Sequence, residues 1–265
     1  MAAPEPEEIF RRTREEGQRR LSRPLLELGA TALVAGVDVV FGIIALGTAS
    51  ALVAHRAGTE AGHLAGSIAF GLAFVFIVVG RSELFTENFL VPVAGLERTR
   101  ASWYKLAELW TISPVLNILG GVAMVVIATV HGVLPDGTGH SLVDVANKLD
   151  ANNTLAAFCS AIVAGALITM MTWLVEGADT MGVRIVAAWL TGILLALGAF
   201  NHVIVVTLEL FAGIRYGAPV GWDDWFGNMA VAAGGNLVGG LLFVTLTRFG
   251  QAVGSDAGRR ASQGS

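Results

Sequence analysis

Two short polar groups interrupt apolar stretches of this 265-residue chain, and they hold the side chains that could do chemistry. The first is "GRSELFTEN", residues 80–88, which follows fifteen uncharged residues, "LAGSIAFGLAFVFIV", at 64–78. The second is "NH", Asn201 and His202, inside the apolar stretch "LLALGAFNHVIVVTLELF", residues 194–211. Ionisable groups deep in an apolar environment are costly and usually functional.

Both groups contain side chains suited to handling a small ion or a proton. Thr86 supplies a hydroxyl, and the N–H groups of an unwound backbone can face a passing ion. His202 can exchange protons or donate a hydrogen bond while neutral, because histidine titrates near physiological pH. Two other interpretations remain open: a hydrogen-bonded core histidine, and a surface loop between two short helices. The loop is the weaker of these, because "FLVPVAGL", residues 89–96, is too short to cross a bilayer alone.

The composition indicates that a lipid bilayer is the solvent of this chain. It is 54% hydrophobic and 14% charged, with a mean hydropathy of +0.66. A soluble domain of this length cannot hide so much apolar surface, whereas a helix that spans a bilayer needs roughly 20 apolar residues. We therefore predict an all-α membrane protein with six transmembrane helices. They cover residues 26–54, 65–96, 106–134, 154–176, 183–214 and 225–249.

The second and fifth predicted helices are the two that carry polar interruptions. They hold corresponding places in the two halves of a 3+3 arrangement, and a repeat of three spans must be inverted. Paired broken helices in an inverted repeat are typical of a substrate site near the middle of the membrane. Pro92 fits the start of the resumed part of helix 2, where its missing N–H costs little.

The regions outside the spans predict the domain organisation and the orientation. Residues 1–25 form an N-terminal tail that could be an amphipathic helix, 26–250 the channel domain, and 251–265 a disordered C-terminal tail. The side of the membrane that holds both termini carries 13 of the 17 Lys and Arg residues. By the positive-inside rule, both termini are cytoplasmic in an inner (plasma) membrane.

Three motifs, in order along the chain, resemble the formate/nitrite transporter family. "ELFTEN", residues 83–88, resembles that family's Leu-Phe-Thr loop, and "FNHVIVV", 200–206, is similar to its central-histidine segment. "GGNLVGG", 234–240, is similar to its sixth-helix motif. The resemblance covers about 26–250. It implies an aquaporin-like protomer with its own pore, assembled as a homopentamer, that passes small monovalent anions or their weak acids.

The resemblance also implies roles for individual residues. The pore residues are Thr86, His202, Asn236 and Lys148, and the apolar constrictions are Phe70, Phe74 and Leu195. The residues at the two breaks are Arg81, Glu83, Leu84, Phe85, Glu87, Asn88 and Asn201.

The sequence departs from the family pattern in three places. Asn201 stands where the family has an acid, Glu87 adds a carboxylate, and no asparagine occurs near Gly165, where the family keeps one. We expect Arg81 and Glu83 to pair with each other or with helix ends. Glu87 either repels anions or pairs with Arg81. These departures place the chain in a divergent, "RSELFTEN"-type branch.

The predicted function is passage of formate, nitrite or a similar small anion together with protons. Two alternatives remain open: a pore for a cation, hydrosulfide or neutral solute, and a non-transporting scaffold or sensor that retains the fold. We expect no enzyme activity, cofactor or metal site. The chain shows no metal-ligand spacing, phosphate loop or nucleophile beside a base, and its single cysteine excludes a cysteine-rich metal site. We also expect no nucleic-acid partner.

Overall fold

The fold is a helical bundle, seen in a computed structural model that describes residues 4–263 and the side chains through Ser255. The described residues contain twelve α-helices and no strand. The helices are α1 (Pro6–Leu21), α2 (Leu25–Ala57), α3 (Thr59–Phe70), α4 (Leu72–Gly80), α5 (Val91–Ala94), α6 (Arg100–Ala128), α7 (Thr138–Asp150), α8 (Thr154–Gly177), α9 (Met181–Leu197), α10 (Val203–Arg215), α11 (Trp222–Val238) and α12 (Leu246–Gln263). A 3-10 helix, Phe85–Phe89, precedes α5, and a π-helical segment, Gly239–Thr245, joins α11 to α12.

The long apolar helices lie where the hydropathy of the sequence places them. Among the described residues, five helical stretches are long and apolar enough to cross a membrane, and α9 is a shorter apolar helix. Large side chains such as Phe41, Ile127 and Phe243 remain exposed on the outside of the bundle. Such a surface suits lipid or neighbouring subunits. The count of six membrane spans stays a prediction.

The helical conformation stops at both polar groups. Helix α4 ends at Gly80 and α5 begins at Val91, while α9 ends at Leu197 and α10 begins at Val203. Arg81 and Ala199 both have positive φ angles, 57° and 47°, which lie in the left-handed region that ends a helix. That each pair of helices forms one broken transmembrane span stays a prediction.

Helix α7 is an element that the hydropathy pattern does not predict. It lies in the connection between the third and fourth apolar helices and buries Leu142, Ala146 and Leu149, which are spaced on one face. It packs against α10 and α2. The helix is short and largely polar, so a search for long apolar runs passes over it.

The N-terminal segment is a helix packed onto the bundle. Phe10 contacts Phe249 of α12, with ring centroids 4.9 Å apart, and the Arg12 guanidinium pairs with Asp179 at 2.8 Å. Gly17 lies against the backbone of α5 so closely that a Cβ atom would overlap the Val91 carbonyl oxygen. Residues Pro6–Leu21 of the predicted tail are therefore helical, and the amphipathic role of the tail stays a prediction.

The C-terminal segment differs from the prediction of disorder. Helix α12 continues to Gln263, so residues 251–263 are helical. The last residues of the predicted tail, 264–265, lie outside the described residues.

Candidate functional site

A histidine and a threonine meet in the centre of the protein. The Nε2 atom of His202 lies 2.6 Å from the Thr86 hydroxyl oxygen, across 116 positions in the chain, and both side chains are fully buried. Thr86 belongs to the 3-10 helix after the first interruption, and His202 is the N-cap residue of α10 after the second. The two interruptions thus present their polar residues to each other.

The N-cap role determines which atom of the His202 ring carries the proton. The backbone N–H of Val205 donates to His202 Nδ1 at 3.2 Å, so Nδ1 must be an acceptor. In neutral imidazole the other nitrogen is then protonated, and Nε2–H donates to the Thr86 hydroxyl oxygen. This arrangement leaves the hydroxyl hydrogen of Thr86 free to bind an acceptor. A doubly protonated ring would set two N–H donors against each other at Nδ1.

Asn236 holds the second interruption in place. Its side-chain amide donates to the carbonyl of Asn201 at 3.0 Å and to that of Ala161 in α8 at 2.8 Å. Its side-chain oxygen accepts the N–H of Val203 at 2.9 Å. One buried side chain therefore replaces helical hydrogen bonds on both sides of His202, as apolar surroundings require.

Asn117 does the same at the first interruption, and the sequence analysis missed it. Its amide donates to the carbonyls of Glu83 at 2.9 Å and Ala32 at 2.7 Å, and its oxygen accepts the N–H of Phe85 at 2.9 Å. These bonds match those of Asn236 one for one. The matching hydrogen bonds of Asn117 and Asn236 favour the interpretation of the chain as two repeated halves.

A short sequence repeat could have revealed the role of Asn117. "NILGG", residues 117–121, and "NLVGG", residues 236–240, share the pattern Asn-x-x-Gly-Gly. In both halves a facing glycine, Gly36 or Gly165, lies against the backbone of the asparagine, where a Cβ atom would overlap its carbonyl oxygen. The asparagine that the family comparison expects near Gly165 has no room at that position.

Further side chains bond the backbone and side chains of the breaks. The Trp110 indole N–H donates to the Asn88 carbonyl at 3.0 Å, and the Thr245 hydroxyl donates to the Phe89 carbonyl at 2.8 Å. At the second break, the Asn201 amide donates to the Asn228 side-chain oxygen at 2.8 Å. Asn201, where the family has an acid, is thus paired with another amide.

The backbone of the first break is less available to an ion than expected. The N–H groups of Ser82, Glu83, Phe85 and Glu87 all donate to protein oxygens, at 2.9–3.1 Å. The Ser82 hydroxyl also donates to the Asp38 carboxylate, at 2.6 Å. These four N–H groups are therefore not available to a passing ion, and a role of the other N–H groups of the loop stays a prediction. The Thr86 hydroxyl remains as a donor.

The carboxylates of the first break pair with arginines of the N-terminal region. Glu83, whose side chain is 1% exposed, accepts from Arg20 at 3.0 Å and also from Arg23. Glu87 pairs with Arg20 at 3.4 Å, and the Asn88 side-chain oxygen accepts from the same guanidinium at 3.1 Å. Burial opposes the charge of Arg20, but the nearby carboxylates outweigh it and hold its pKa above the usual range.

Arg81 does not take part in this network, contrary to expectation. Its side chain is 69% exposed, and its nearest carboxylate is that of Glu16 at 4.0 Å. Arg81 caps α4 in a left-handed conformation. The predicted pairing of Arg81 with Glu83 or Glu87 is therefore wrong. Arg20 of α1 and Arg23, which follows α1, pair with these carboxylates instead.

The expected constriction residues are buried near the central pair. The Phe74 ring lies edge-on to His202, with centroids 6.3 Å apart, and Phe70 stacks behind Phe74 at 6.1 Å. Leu195 is fully buried in α9. In the first break, Leu84 is buried and the Phe85 ring contacts Phe89 at 5.1 Å.

Two cavities approach the central pair from different sides. The α1-side cavity, of 440 Å³, is lined by charged residues of α1 and by Ile77 and Glu87, the latter next to Thr86 in the chain. The α7-side cavity, of 40 Å³, is lined by Leu195, by Lys148 of α7 and by Val205, whose N–H bonds His202. Thr86 and His202 themselves line neither cavity.

Comparisons with known proteins agree on one family. The sequence model described as formate/nitrite transporter matches residues 7–250. The chain is 26% identical over 252 residues to "Inner membrane protein YfdC" of Escherichia coli (strain K12), across 92% of this chain and 77% of that protein. It is 25% identical over 207 residues to "Formate channel FocA" of the same strain, across 69% of this chain and 72% of that protein.

Solved structures show the same fold. "Pentameric formate channel with formate bound" superposes with a TM-score of 0.73 and 20% identity, covering 84% of this chain and 96% of that one. "FNT family ion channel" has a TM-score of 0.76 and 18% identity, covering 91% and 97%. The chain therefore has the fold of these channels, which confirms the predicted all-α membrane fold.

Proposed function

The chain belongs to the formate/nitrite transporter family, and from that premise we propose that it is a membrane channel for small monovalent anions or their weak acids. Formate and nitrite represent the class. The substrate crosses each protomer through its own pore, together with a proton. The exposed apolar side chains and the similarity to a pentameric channel support assembly as a homopentamer in a cell membrane.

One observation carries this proposal: the buried contact between Thr86 and His202 has a cavity-lining residue beside each partner, Glu87 next to Thr86 at the α1-side cavity and Val205, which bonds His202, at the α7-side cavity. The contact offers hydrogen bonds but no fixed charge, because His202 is an N-cap acceptor at Nδ1. A hydroxyl that donates a hydrogen bond beside a neutral ring suits a small oxygen-containing solute. The surrounding rings of Phe74 and Phe70 exclude a hydration shell.

The physical problem is to move a weak acid through this apolar centre. A bare anion loses its hydration at a large cost, whereas the neutral acid loses far less. Lys148, at the mouth of the α7-side cavity, attracts the anion. The anion takes up a proton as it is dehydrated, and the neutral acid then passes Leu195 and the central pair. It dissociates in the cavity beyond.

A panel of solutes tests the proposed function. Proteoliposomes that contain the purified protein should take up radiolabelled formate and nitrite well above protein-free liposomes. Water, sodium and potassium flux, measured in the same preparation, should stay at the protein-free level. Cation flux in place of anion flux would identify the alternative pore. A folded pentamer that passes none of these solutes would support a scaffold or sensor.

Replacing His202 with asparagine should lower formate uptake at every pH. Asparagine can still cap α10, but it does not reproduce the ring contact with Thr86. A net hydrogen bond of about 1.4 kcal/mol corresponds to a decrease of about tenfold. His131→Asn, in an exposed loop, serves as the control. Unchanged uptake in His202→Asn would contradict a role of this ring in passage.

A further inference from the structure

The buried side chain of Glu209 is not explained by the fold or by the site described so far. It lies in α10, is 6% exposed, and forms no hydrogen bond or ion pair with any described residue. Glu209 is seven residues after His202, so it lies on the same face of α10, two turns further along. That face also carries Val205, which links the two positions.

Glu209 lines the α7-side cavity. The other titratable groups that line this cavity are His63 of α3 and Lys148 of α7; α2 and α9 contribute only apolar lining residues. A cavity of 40 Å³ has room for about one small molecule, since one water occupies about 30 Å³ of liquid. A solute held there therefore meets the Glu209 carboxyl group, and Leu195 lies on the same cavity wall.

The two carboxylates of the first break are neutralised by arginine, and Glu209 has no such partner among the described residues. Glu83 and Glu87 both pair with arginine at the α1-side cavity. An ionised carboxylate without a partner is expensive to bury, and it would also repel an incoming anion. The neutral acid is thus the form of Glu209 that the cavity accommodates at least cost, and this form carries a proton that it can donate.

His202 is poorly placed to supply that proton. Its Nδ1 atom already accepts a hydrogen bond from Val205, and its Nε2–H points at Thr86. Lys148 is exposed at its end of the cavity, where it can attract an anion before the anion is dehydrated. Glu209 is the buried acid that lines the same cavity as Lys148.

We propose that Glu209 is the proton donor that converts the entering anion to its neutral acid in the α7-side cavity. The O–H bond of Glu209 breaks and its electron pair stays on the carboxylate, while a new O–H bond forms on the substrate oxygen. The neutral acid moves on past Leu195, and water on the α7 side returns a proton to Glu209. This inference rests on the proposed function.

The test compares wild type, Glu209→Gln and Glu209→Asp in proteoliposomes that contain a pH-sensitive dye. Radiolabelled formate uptake and formate-driven proton entry are measured together from about pH 5 to about pH 7.5, after subtraction of the protein-free leak. Glu60→Gln, at an exposed position of α3, is the matched control. Pentamer elution and thermal unfolding of each variant establish that it is folded.

In Glu209→Gln, we expect both formate and proton entry to fall at least about tenfold at the upper end of the pH range. The defect should shrink toward the lower end, because the acid already arrives protonated from water. A packing defect would instead lower uptake equally at every pH. Glu209→Asp, which keeps a proton, should retain most of the activity if the shorter side chain still reaches the cavity.

Distinct results overturn the inference and the proposed function. If the wild-type protein takes up formate and Glu209→Gln takes it up with the same pH profile, the role of Glu209 is overturned and the channel function still holds. A Glu209→Gln defect that is equal at all pH values does the same. Cation flux that disappears in Glu209→Gln would overturn the inference too, by identifying the carboxylate as a cation ligand. Wild-type protein that passes no weak acid overturns both proposals.

Discussion

Replacing Asn236 with leucine is expected to destabilise the protein strongly, although the two side chains have similar volumes. Leucine leaves the N–H of Val203 and the carbonyl of Asn201 without their partner inside the bundle. Each unsatisfied buried group costs about 1–3 kcal/mol, so the loss is about 2–6 kcal/mol. Thermal unfolding of the purified oligomer in detergent, followed by tryptophan fluorescence, measures this loss.

Two further variants sharpen that experiment. Asn228→Leu removes a half-buried amide that bonds only the Asn201 side chain, so its midpoint should fall much less. Asn117→Leu breaks the matching bonds at the first interruption, and its midpoint should fall about as far as that of Asn236→Leu. An Asn236→Leu midpoint equal to that of Asn228→Leu would show that the amide does not hold the break. Formate uptake should be lost in both Asn236→Leu and Asn117→Leu.

The second large effect is expected when Arg20 is replaced by methionine. Methionine keeps much of the apolar stem but removes the charge that Glu83 and Glu87 share. Glu83 keeps its pair with Arg23, but Glu87 stays buried without an arginine, and breaking a buried ion pair from one side costs about 3–5 kcal/mol. The midpoint of thermal unfolding should therefore fall sharply, and α1 should become sensitive to protease.

Matched variants separate this effect from a general loss of charge. Arg19→Met removes a more exposed arginine that pairs with Glu16, a kind of pair worth about 0–1 kcal/mol. Adding Glu87→Gln to Arg20→Met removes one orphaned carboxylate and should restore part of the lost stability. If Arg20→Met and Arg19→Met unfold at the same temperature, the contact of α1 with the first break does not stabilise the fold.

For the majority of their ends, the sequence predicted where the long helices begin and end to within a few residues. The predicted span 154–176 is α8, Thr154–Gly177, and 26–54 lies within α2, Leu25–Ala57. This agreement has a simple cause: a bilayer requires a local run of apolar residues, which the sequence shows directly. Helix α7 escaped notice because its apolar residues form only a stripe.

The candidate site was predicted in part. The resemblance to the family pointed to Thr86 and His202, and the structure brings these two side chains to 2.6 Å. Their functional roles stay predictions. Asn117 was missed although its motif repeats that of Asn236, because the comparison considered the interruptions and not the side chains that support them. The unpartnered state of Glu209 becomes visible only when its surroundings are known.

The partners of the buried carboxylates show the limit of sequence reasoning most clearly. Glu83 was expected to pair with its neighbour Arg81 or with helix ends, but it pairs with Arg20 and Arg23, more than fifty positions away. A local sequence pattern shows that burying a charge costs free energy. It does not show which distant side chain offsets that cost. The packing of α1 supplies the answer.

By itself, the sequence determined the solvent of this protein, the places where its helices must lie, and the two positions at which an apolar helix becomes polar. Each is a property of consecutive residues and of their transfer from water to lipid. Only the tertiary structure decided which groups satisfy the interrupted backbone, which arginines neutralise the buried acids, and which acid stays alone in a cavity. Hydrogen bonds and ion pairs act over a few ångströms in space, whatever the distance along the chain.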